Sequence, residues 1–218
     1  MRLFGILVIM SGVIASCNRV KETDRVTEAH TKVQTELGKH FGKPVFLRII
    51  KEDHVLELWL QEGGHWRVLK PYPILAMSGT LGPKTREGDC QAPEGFYATT
   101  LSRLNPCSKY HLSFNIGYPN EYDRSLGRTG SFIMVHGKER SIGCFAMGDD
   151  GIEEIYTLVH QALLAGQPSV PVQVYPFEMT TERMEKEKSS HHYTFWEQHL
   201  LPGWQHTQQF NEPAPFFL

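Results

Sequence analysis

The chain has 218 residues, a formal net charge of −2 at pH 7, and 40% hydrophobic and 11% aromatic residues. This near-neutral charge lacks the excess of basic residues typical of proteins that bind nucleic acids, so no nucleic-acid partner is expected. The hydrophobic content is sufficient for a packed core, and the length fits one domain with a short appendage.

The N-terminus has the composition of an export signal. Residues 3–16 carry no charge and are too few for a comfortable transmembrane helix. They lead into Ile14-Ala15-Ser16-Cys17, which resembles the lipobox of bacterial lipoproteins; the alternative is a plain cleavable signal in which Cys17 has no role. We expect a signal peptide over residues 1–16 and a protein anchored by lipid on Cys17 in the periplasm of a Gram-negative bacterium. Asn18 favours the outer membrane over the inner one.

The first half of the remaining chain predicts a helix followed by strands. Residues 17–43 are expected to form a tether and a short amphipathic helix, because Val26, Ala29, Val33 and Leu37 recur at spacings of three and four. Strands separated by turn-forming residues are then predicted over Val45–Ile50, Val55–Leu60, His65–Leu69, Tyr72–Met77 and Phe96–Leu101.

The second half predicts short strands around one long helix. Apolar and polar side chains alternate over residues 110–117, which puts Ser113 and Asn115 on the strand face opposite Phe114. The later elements are a polar loop over 117–130, a strand over Ser131–Val135, a helix over residues 152–165 capped by Asp149 or Asp150, a strand over Val170–Tyr175, and a helical or irregular extension over 181–218. This pattern indicates a mostly β fold with minor α.

The chain contains four cysteines, Cys17, Cys90, Cys107 and Cys144. If Cys17 is lipidated, an odd number remains, so at least one thiol has no partner within the chain. A disulfide between Cys90 and Cys107 is sterically possible in an oxidising compartment, and a pairing with Cys144 is the alternative.

The stretch HGKERSIGC over residues 136–144 is the candidate chemical centre. Gly143 directly before Cys144 permits close approach of substrate and aligned backbone amides, as an oxyanion hole requires. The spacing allows His136 to reach Cys144 as its base, but an inert buried thiol in a hairpin is the more usual outcome. A zinc site is a third alternative, with further ligands from Cys90, Cys107 or His111.

The run from Phe132 to Met147 resembles the signature of the L,D-transpeptidase (YkuD-type) catalytic domain, in which His-Gly is followed by Ser/Thr-His-Gly-Cys. Here His-Gly stands at 136–137 and Ser-x-Gly-Cys at 141–144. Ile142 replaces the usual histidine and the gap is short, and both departures resemble the YafK subgroup. Three further stretches share this resemblance, which extends over residues 44–180: YPILAMSGTLGPKTREGDCQAPEGFY, NPCSKYHLSFNIGYPNEYDRSLGRTG and GIEEIYTLVHQAL.

The resemblance implies a β-sandwich-like catalytic domain and thiol acyl transfer on peptidoglycan stem peptides. It makes Cys144 the nucleophile and His136 the base, with the backbone carbonyl of Gly137 orienting the imidazole. The amides of Gly143 and Cys144 would form the oxyanion hole, and Ser141 would shape the loop.

Further residues are candidate substrate contacts. Asn115 and Tyr118 precede the polar loop, Ser141 lies in the signature, and Arg124 and Arg128 have the geometry to bind a stem-peptide carboxylate. A structural or surface role is the alternative for each. Neither a metal ion nor a cofactor is expected, and we expect a monomer.

The signature leaves open how the acyl-enzyme is resolved. The resemblance to the YafK subgroup implies hydrolysis of the bond between meso-diaminopimelate and the lysine of a wall-attached outer-membrane lipoprotein. Transpeptidation, which forms cross-links or attaches protein, and L,D-carboxypeptidase activity are the enzymatic alternatives. A non-catalytic peptidoglycan-binding lipoprotein is the alternative of a different class.

Overall fold

The computed structural model describes residues 24–215. The expected signal over 1–16, the candidate lipidation site Cys17, Asn18 and the start of the tether lie outside the described residues, as do residues 216–218. Among the helices in the described range, none is both long and apolar enough to cross a bilayer.

The helices and strands have the following bounds. The helices are α1 (residues 24–37), α2 (Glu121–Ser125), α3 (Gly148–Leu164), α4 (Thr181–Lys186), α5 (Tyr193–Phe195) and α6 (Leu201–Phe210), with a π-helical turn over Trp196–Leu200 and 3-10 turns over Gly38–His40 and Leu101–Arg103. The strands are β1 (Val45–Ile50), β2 (Val55–Glu62), β3 (His65–Pro73), β4 (Gly95–Thr99), β5 (Leu104–Asn105), β6 (Ser113–Asn115), β7 (Met134–His136), β8 (Phe145–Ala146) and β9 (Val170–Tyr175).

The strands form two sheets in a sandwich-like arrangement, which confirms the predicted fold class. The larger sheet has the order β3-β2-β1-β9-β4, with β1 and β9 parallel, and the smaller one has the order β5-β6-β7-β8. Helix α3 contacts strands of both sheets. Its buried side chains, including Ile152, Ile155 and Val159, join one core with Leu47 and Phe114. The smaller sheet carries the candidate site, so this shared core fixes the site to the rest of the fold.

Several predicted elements needed correction. No separate strand covers Tyr72–Met77, because β3 continues through Pro73 and Ala76 then forms an isolated bridge with Ala146. Neither predicted aspartate caps α3: the helix begins at Gly148, and Asp149 lies inside it and binds Lys138. The sequence left the pairing of the cysteines at 90, 107 and 144 open, and in the described chain they form no disulfide with one another.

The C-terminal extension packs on the larger sheet. Trp196 meets Phe177 edge to face with ring centroids 5.1 Å apart, and Trp204 meets Tyr175 in the same way at 5.2 Å. These rings belong to a second buried cluster that also includes Phe96. The expected helical extension therefore packs on the larger sheet through a layer of aromatic side chains.

Candidate active site

Strands β7 and β8 bring His136 and Cys144 to one cleft. The two strands pair in parallel, with Val135 opposite Phe145, so the end of β7 and the residue before β8 are close neighbours. The cleft has a volume of about 380 Å³ and is lined by Ser108, Tyr110, Ser113, Phe132, Met134, His136, Arg140, Ser141, Ile142 and Cys144.

Hydrogen bonds hold the His136 ring in one tautomer. Its Nδ1 lies 2.6 Å from the carbonyl oxygen of Gly137, and its Nε2 lies 3.2 Å from Ser141 Oγ. Because a carbonyl oxygen only accepts, Nδ1 carries the proton and Nε2 accepts from the Ser141 hydroxyl. The ring therefore presents a basic nitrogen, and the Gly137 carbonyl lies where the resemblance places it.

The surroundings of His136 favour its neutral form. Burial lowers the pKa of the imidazole, and the bond to the Gly137 carbonyl opposes this only in part. Tyr110 packs against the ring, with centroids 4.8 Å apart. A neutral, fixed imidazole is suited to act as a general base near neutral pH.

The Cys144 thiol faces β7. Its sulfur accepts a hydrogen bond from the Met134 amide at 3.3 Å and lies 3.6 Å from the Phe132 carbonyl oxygen. Burial raises the pKa of the thiol, against smaller lowering effects of the Met134 amide and the Lys84 ammonium. Within the described chain, the polar contacts of the sulfur do not include His136, so this state holds a neutral thiol beside a neutral base.

The Gly143 amide requires a correction to the predicted oxyanion hole. Gly143 has φ +76°, where glycine is favoured, and its buried N–H donates to Ser78 Oγ at 2.8 Å. That amide therefore does not point freely into the cleft, and of the two predicted donors the Cys144 amide is left to receive an oxyanion. Ser78, which the sequence interpretation did not select, is thus a direct neighbour of the signature.

Two of the candidate substrate contacts support the fold instead. The Tyr118 side chain is buried, and its hydroxyl donates to the carbonyl oxygens of Lys84 and Thr129. Asn115 uses its side-chain oxygen to accept from the Gly117 amide. Neither side chain lines the cleft.

The two candidate arginines also lie outside the cleft. Arg128 forms an ion pair with the buried Asp123 carboxylate at 2.7 Å and lies over the Tyr122 ring. Arg124 donates to the carbonyl oxygen of Pro119. These partners satisfy both guanidinium groups locally, so the structure gives no support to a carboxylate-binding role for either.

The cleft contains residues that sequence interpretation missed. Phe132 and Ile142 expose 73% and 74% of their surface at its rim, and Arg140 lines it as well. Ser113 is the register partner of His136 across β6 and β7. The predicted strand alternation puts Ser113 on the face opposite the core, and this pattern could have identified it as a cleft residue. No comparable sequence pattern pointed to Tyr110.

Potential metal ligands are not clustered at this cleft. Within residues 24–215, no group of three or more histidine, cysteine, aspartate or glutamate side chains is placed to hold a metal ion. The alternative of a zinc site therefore lacks a ligand set in the described chain.

Comparisons with known proteins place these residues in a family. The sequence profile of the L,D-transpeptidase catalytic domain (YkuD) matches residues 45–175. The chain is 46% identical over 172 residues to YafK of Escherichia coli strain K12, provisionally assigned as an L,D-transpeptidase, covering 79% of this chain and 70% of that one.

Solved structures with a similar fold are more distant. The helical cell shape determining protein Pgp2 from Campylobacter jejuni is 24% identical, with a TM-score of 0.48 and coverage of 67% of this chain and 55% of that one. Bd1075 of Bdellovibrio bacteriovorus is 18% identical, with a TM-score of 0.43 and coverage of 78% and 59%. The chain thus spans less than two thirds of either solved protein. From the profile match and the identity to YafK, we conclude that this chain belongs to the L,D-transpeptidase catalytic domain family of peptidoglycan-modifying enzymes.

Proposed function

We propose that the protein is an exported cysteine enzyme that cleaves L,D-amide bonds of peptidoglycan stem peptides through a thioester acyl-enzyme. The observation that carries the proposal is the shared cleft, in which the Cys144 thiol and the basic Nε2 of His136 are both present. Nucleophilic catalysis needs such a thiol and base within reach of one substrate carbonyl.

The first half-reaction forms the acyl-enzyme. His136 Nε2 takes the Cys144 proton while the sulfur attacks the carbonyl carbon of the L-centre, and the Cys144 amide stabilises the oxyanion. The C–N bond then breaks, and the imidazolium returns its proton to the departing amine. Burial raises the pKa of Cys144 and lowers the pKa of His136, so both shifts favour neutral groups before the substrate binds.

The second half-reaction is hydrolysis in our proposal. Neutral His136 activates a water molecule, which attacks the thioester carbonyl and releases Cys144. The 46% identity to YafK supports assignment to this divergent subgroup, which the departure from the signature at Ile142 also resembles. We propose the bond between meso-diaminopimelate and the lysine of a wall-attached lipoprotein as the substrate.

The cellular setting is part of the proposal. A signal peptide over 1–16 and a lipid on Cys17 would place a monomeric enzyme at the periplasmic face of the outer membrane. Metabolic labelling with palmitate tests the anchor: we expect label on the wild type and none on Cys17→Ala. Equal labelling of both would exclude Cys17 as the lipidated residue.

Incubation of sacculi with purified protein tests the reaction. Wild type should release wall-linked protein, Cys144→Ala should release none, and Cys90→Ala, which removes an exposed thiol, should behave as wild type. Shortened stem peptides would indicate a carboxypeptidase, and new cross-links a transpeptidase. Binding without any change in the muropeptides or released protein would identify a non-catalytic wall-binding protein and refute the proposed chemistry.

A further inference from the structure

The loop over residues 78–94 connects the candidate nucleophile to the C-terminal extension. We propose that Ser78 is a positioning residue for Cys144, and that a buried network of Lys51, Glu94 and Trp196 holds the loop that carries it. This inference rests on the proposed catalytic role of Cys144.

Ser78 makes two hydrogen bonds that connect the loop to the signature. Its Oγ accepts from the Gly143 amide at 2.8 Å and donates to the Cys90 carbonyl oxygen at 2.6 Å. A Cβ added at Gly143 would lie 3.6 Å from the Gln91 carbonyl oxygen, so loop backbone also contacts this turn. Because Gly143 is buried, its amide needs a partner, and Ser78 thereby fixes the peptide plane that precedes Cys144.

A fully buried ion pair holds the same loop. Lys51 Nζ lies 2.9 Å from Glu94 Oε1, and the two side chains are only 2% and 0% exposed. The carbonyl oxygens of Thr80, Gly82 and Ala92 also lie 2.9 to 3.1 Å from Nζ, so the three N–H groups of the ammonium are shared among four acceptors. The Lys51 ammonium thus contacts three carbonyl oxygens of the loop, and each of them would lose this contact if the loop moved.

The C-terminal extension completes this network through one indole. Trp196 Nε1 donates to Glu94 Oε2 at 2.7 Å, while Glu94 Oε1 also accepts from the Gly82 amide at 2.6 Å. Trp204 is equally an aromatic anchor of the extension, but in the described chain its indole N–H has no hydrogen bond to the loop. In the extension, Trp196 therefore packs and also donates a hydrogen bond to the loop, whereas Trp204 packs without such a bond.

These contacts form a continuous path from the extension to the nucleophile. The Ala92 amide donates to the Ser78 carbonyl oxygen at 3.0 Å, which links the part of the loop held by Lys51 to Ser78. Breaking a hydrogen bond at a buried group without replacing it is unfavourable, and this applies to the bonds of Lys51, Glu94 and the Gly143 amide. The path fixes the direction of the Gly143 peptide, on which the position of the Cys144 amide and sulfur depends. Ser78 and the network thus act through Cys144 and need no contact with substrate.

The first test compares Ser78→Ala with Ser78→Thr. The alanine variant should lower kcat for release of wall-linked protein by about tenfold with little change in KM, since small misplacements at a reacting group reduce rates strongly. The threonine variant keeps a hydroxyl for both partners and should retain most of the activity. Equal activity of all three proteins, or equal loss in both variants, would overturn the role assigned to the hydroxyl.

The second test uses the two tryptophans as a matched pair. Trp196→Phe removes the indole N–H and keeps an aromatic ring, and Trp204→Phe makes the same change where the N–H has no bond to the loop. We expect kcat to fall about threefold only for Trp196→Phe, by the same positioning effect. Equal losses of kcat, accompanied by equal losses of thermal stability, would mean that the extension only stabilises the fold.

Acylation by a carbapenem separates failure of this inference from failure of the proposed function. The rate is measured on Cys144 by mass spectrometry and does not depend on the identity of the natural substrate. If wild type releases nothing from sacculi but Ser78→Ala slows this acylation and Ser78→Thr does not, the proposed substrate fails and the positioning role stands. If sacculi are cleaved and acylation is equal in all variants, the positioning role fails alone.

Discussion

Replacement of Glu94 by glutamine tests the energetics of the loop network. The substitution keeps the size of the side chain and one oxygen acceptor, but it removes the negative charge beside the buried Lys51 ammonium. The native carboxylate accepts hydrogen bonds from both the Gly82 amide and the Trp196 indole N–H. In the variant, the NH2 group of the glutamine would face one of these two donors and could not accept its hydrogen bond. Lys51 would then be left as a buried cation without a countercharge.

The expected cost follows from the burial of the pair. Removing one partner of a buried ion pair typically destabilises a protein by about 3–5 kcal/mol. In a protein of this size about 1 kcal/mol shifts the midpoint of thermal unfolding by roughly 2–4 °C, so Glu94→Gln should lower the midpoint by roughly 6–20 °C. An exposed ion pair would contribute less than about 1 kcal/mol, so the two cases are well separated.

The pH dependence of this loss identifies its cause. Burial already lowers the pKa of Lys51, against the raising effect of Glu94, and loss of Glu94 should lower it further. A group with a depressed pKa in the folded state favours folding once it is neutral, so the penalty should shrink as the pH rises from 7 toward 10.

Thermal and urea unfolding, followed by circular dichroism at pH 7 and pH 10, measures both effects. The double variant Lys51→Met with Glu94→Gln removes the uncompensated charge and should recover part of the loss. A penalty below about 1 kcal/mol at pH 7, or one that does not change with pH, would refute the argument from an uncompensated buried cation.

Three further predictions concern the site and the fold. The acid limb of the pH profile of product formation should lie at lower pH than for an ordinary histidine, because burial lowers the pKa of His136. Alkylation of Cys144 in the free protein should need higher pH than for an ordinary thiol, because burial raises its pKa. Shifts in the opposite directions would indicate a preformed ion pair. Arg128→Ala should reduce the free energy of unfolding by about 3–5 kcal/mol with KM unchanged, since it leaves a buried carboxylate unpaired; a raised KM at full stability would restore a substrate-binding role. Gly203→Ala should destabilise by about 1–3 kcal/mol, because its Cβ would lie 2.4 Å from the Phe96 ring; unchanged chemical denaturation would contradict this clash.

The parts of the structure that depend on local sequence were predictable. Val45–Ile50 and Val170–Tyr175 have the predicted bounds, because β-branched and apolar residues between turn formers specify buried strands. The spacing of His136 and Cys144 alone did not decide whether the two residues share a cleft. The family resemblance predicted that they do. The contact between the Gly137 carbonyl and the His136 ring was predictable because the two residues are adjacent in sequence.

The parts that depend on distant contacts were not predictable. Ser78 reaches Gly143 across 65 residues, and nothing in either local pattern indicates that pairing. Arg128 was interpreted as a ligand for a free carboxylate, but the polar loop folds back and supplies Asp123. A charged residue in a polar loop has the same sequence signal whether its partner is a substrate or its own chain.

The surroundings of Cys144 favour its protonated, less reactive thiol form. Burial raises the pKa of Cys144, and the nearby Lys84 ammonium, which would favour the thiolate, is already bound to Asp89 at 2.5 Å. A neutral thiol reacts poorly with disulfides and oxidants, because the thiolate is the reactive species. If the protein is exported as we propose, this arrangement protects Cys144 in an oxidising compartment while His136 stays neutral and ready to accept its proton. In our proposal, the thiol becomes reactive in the substrate complex, where His136 accepts its proton.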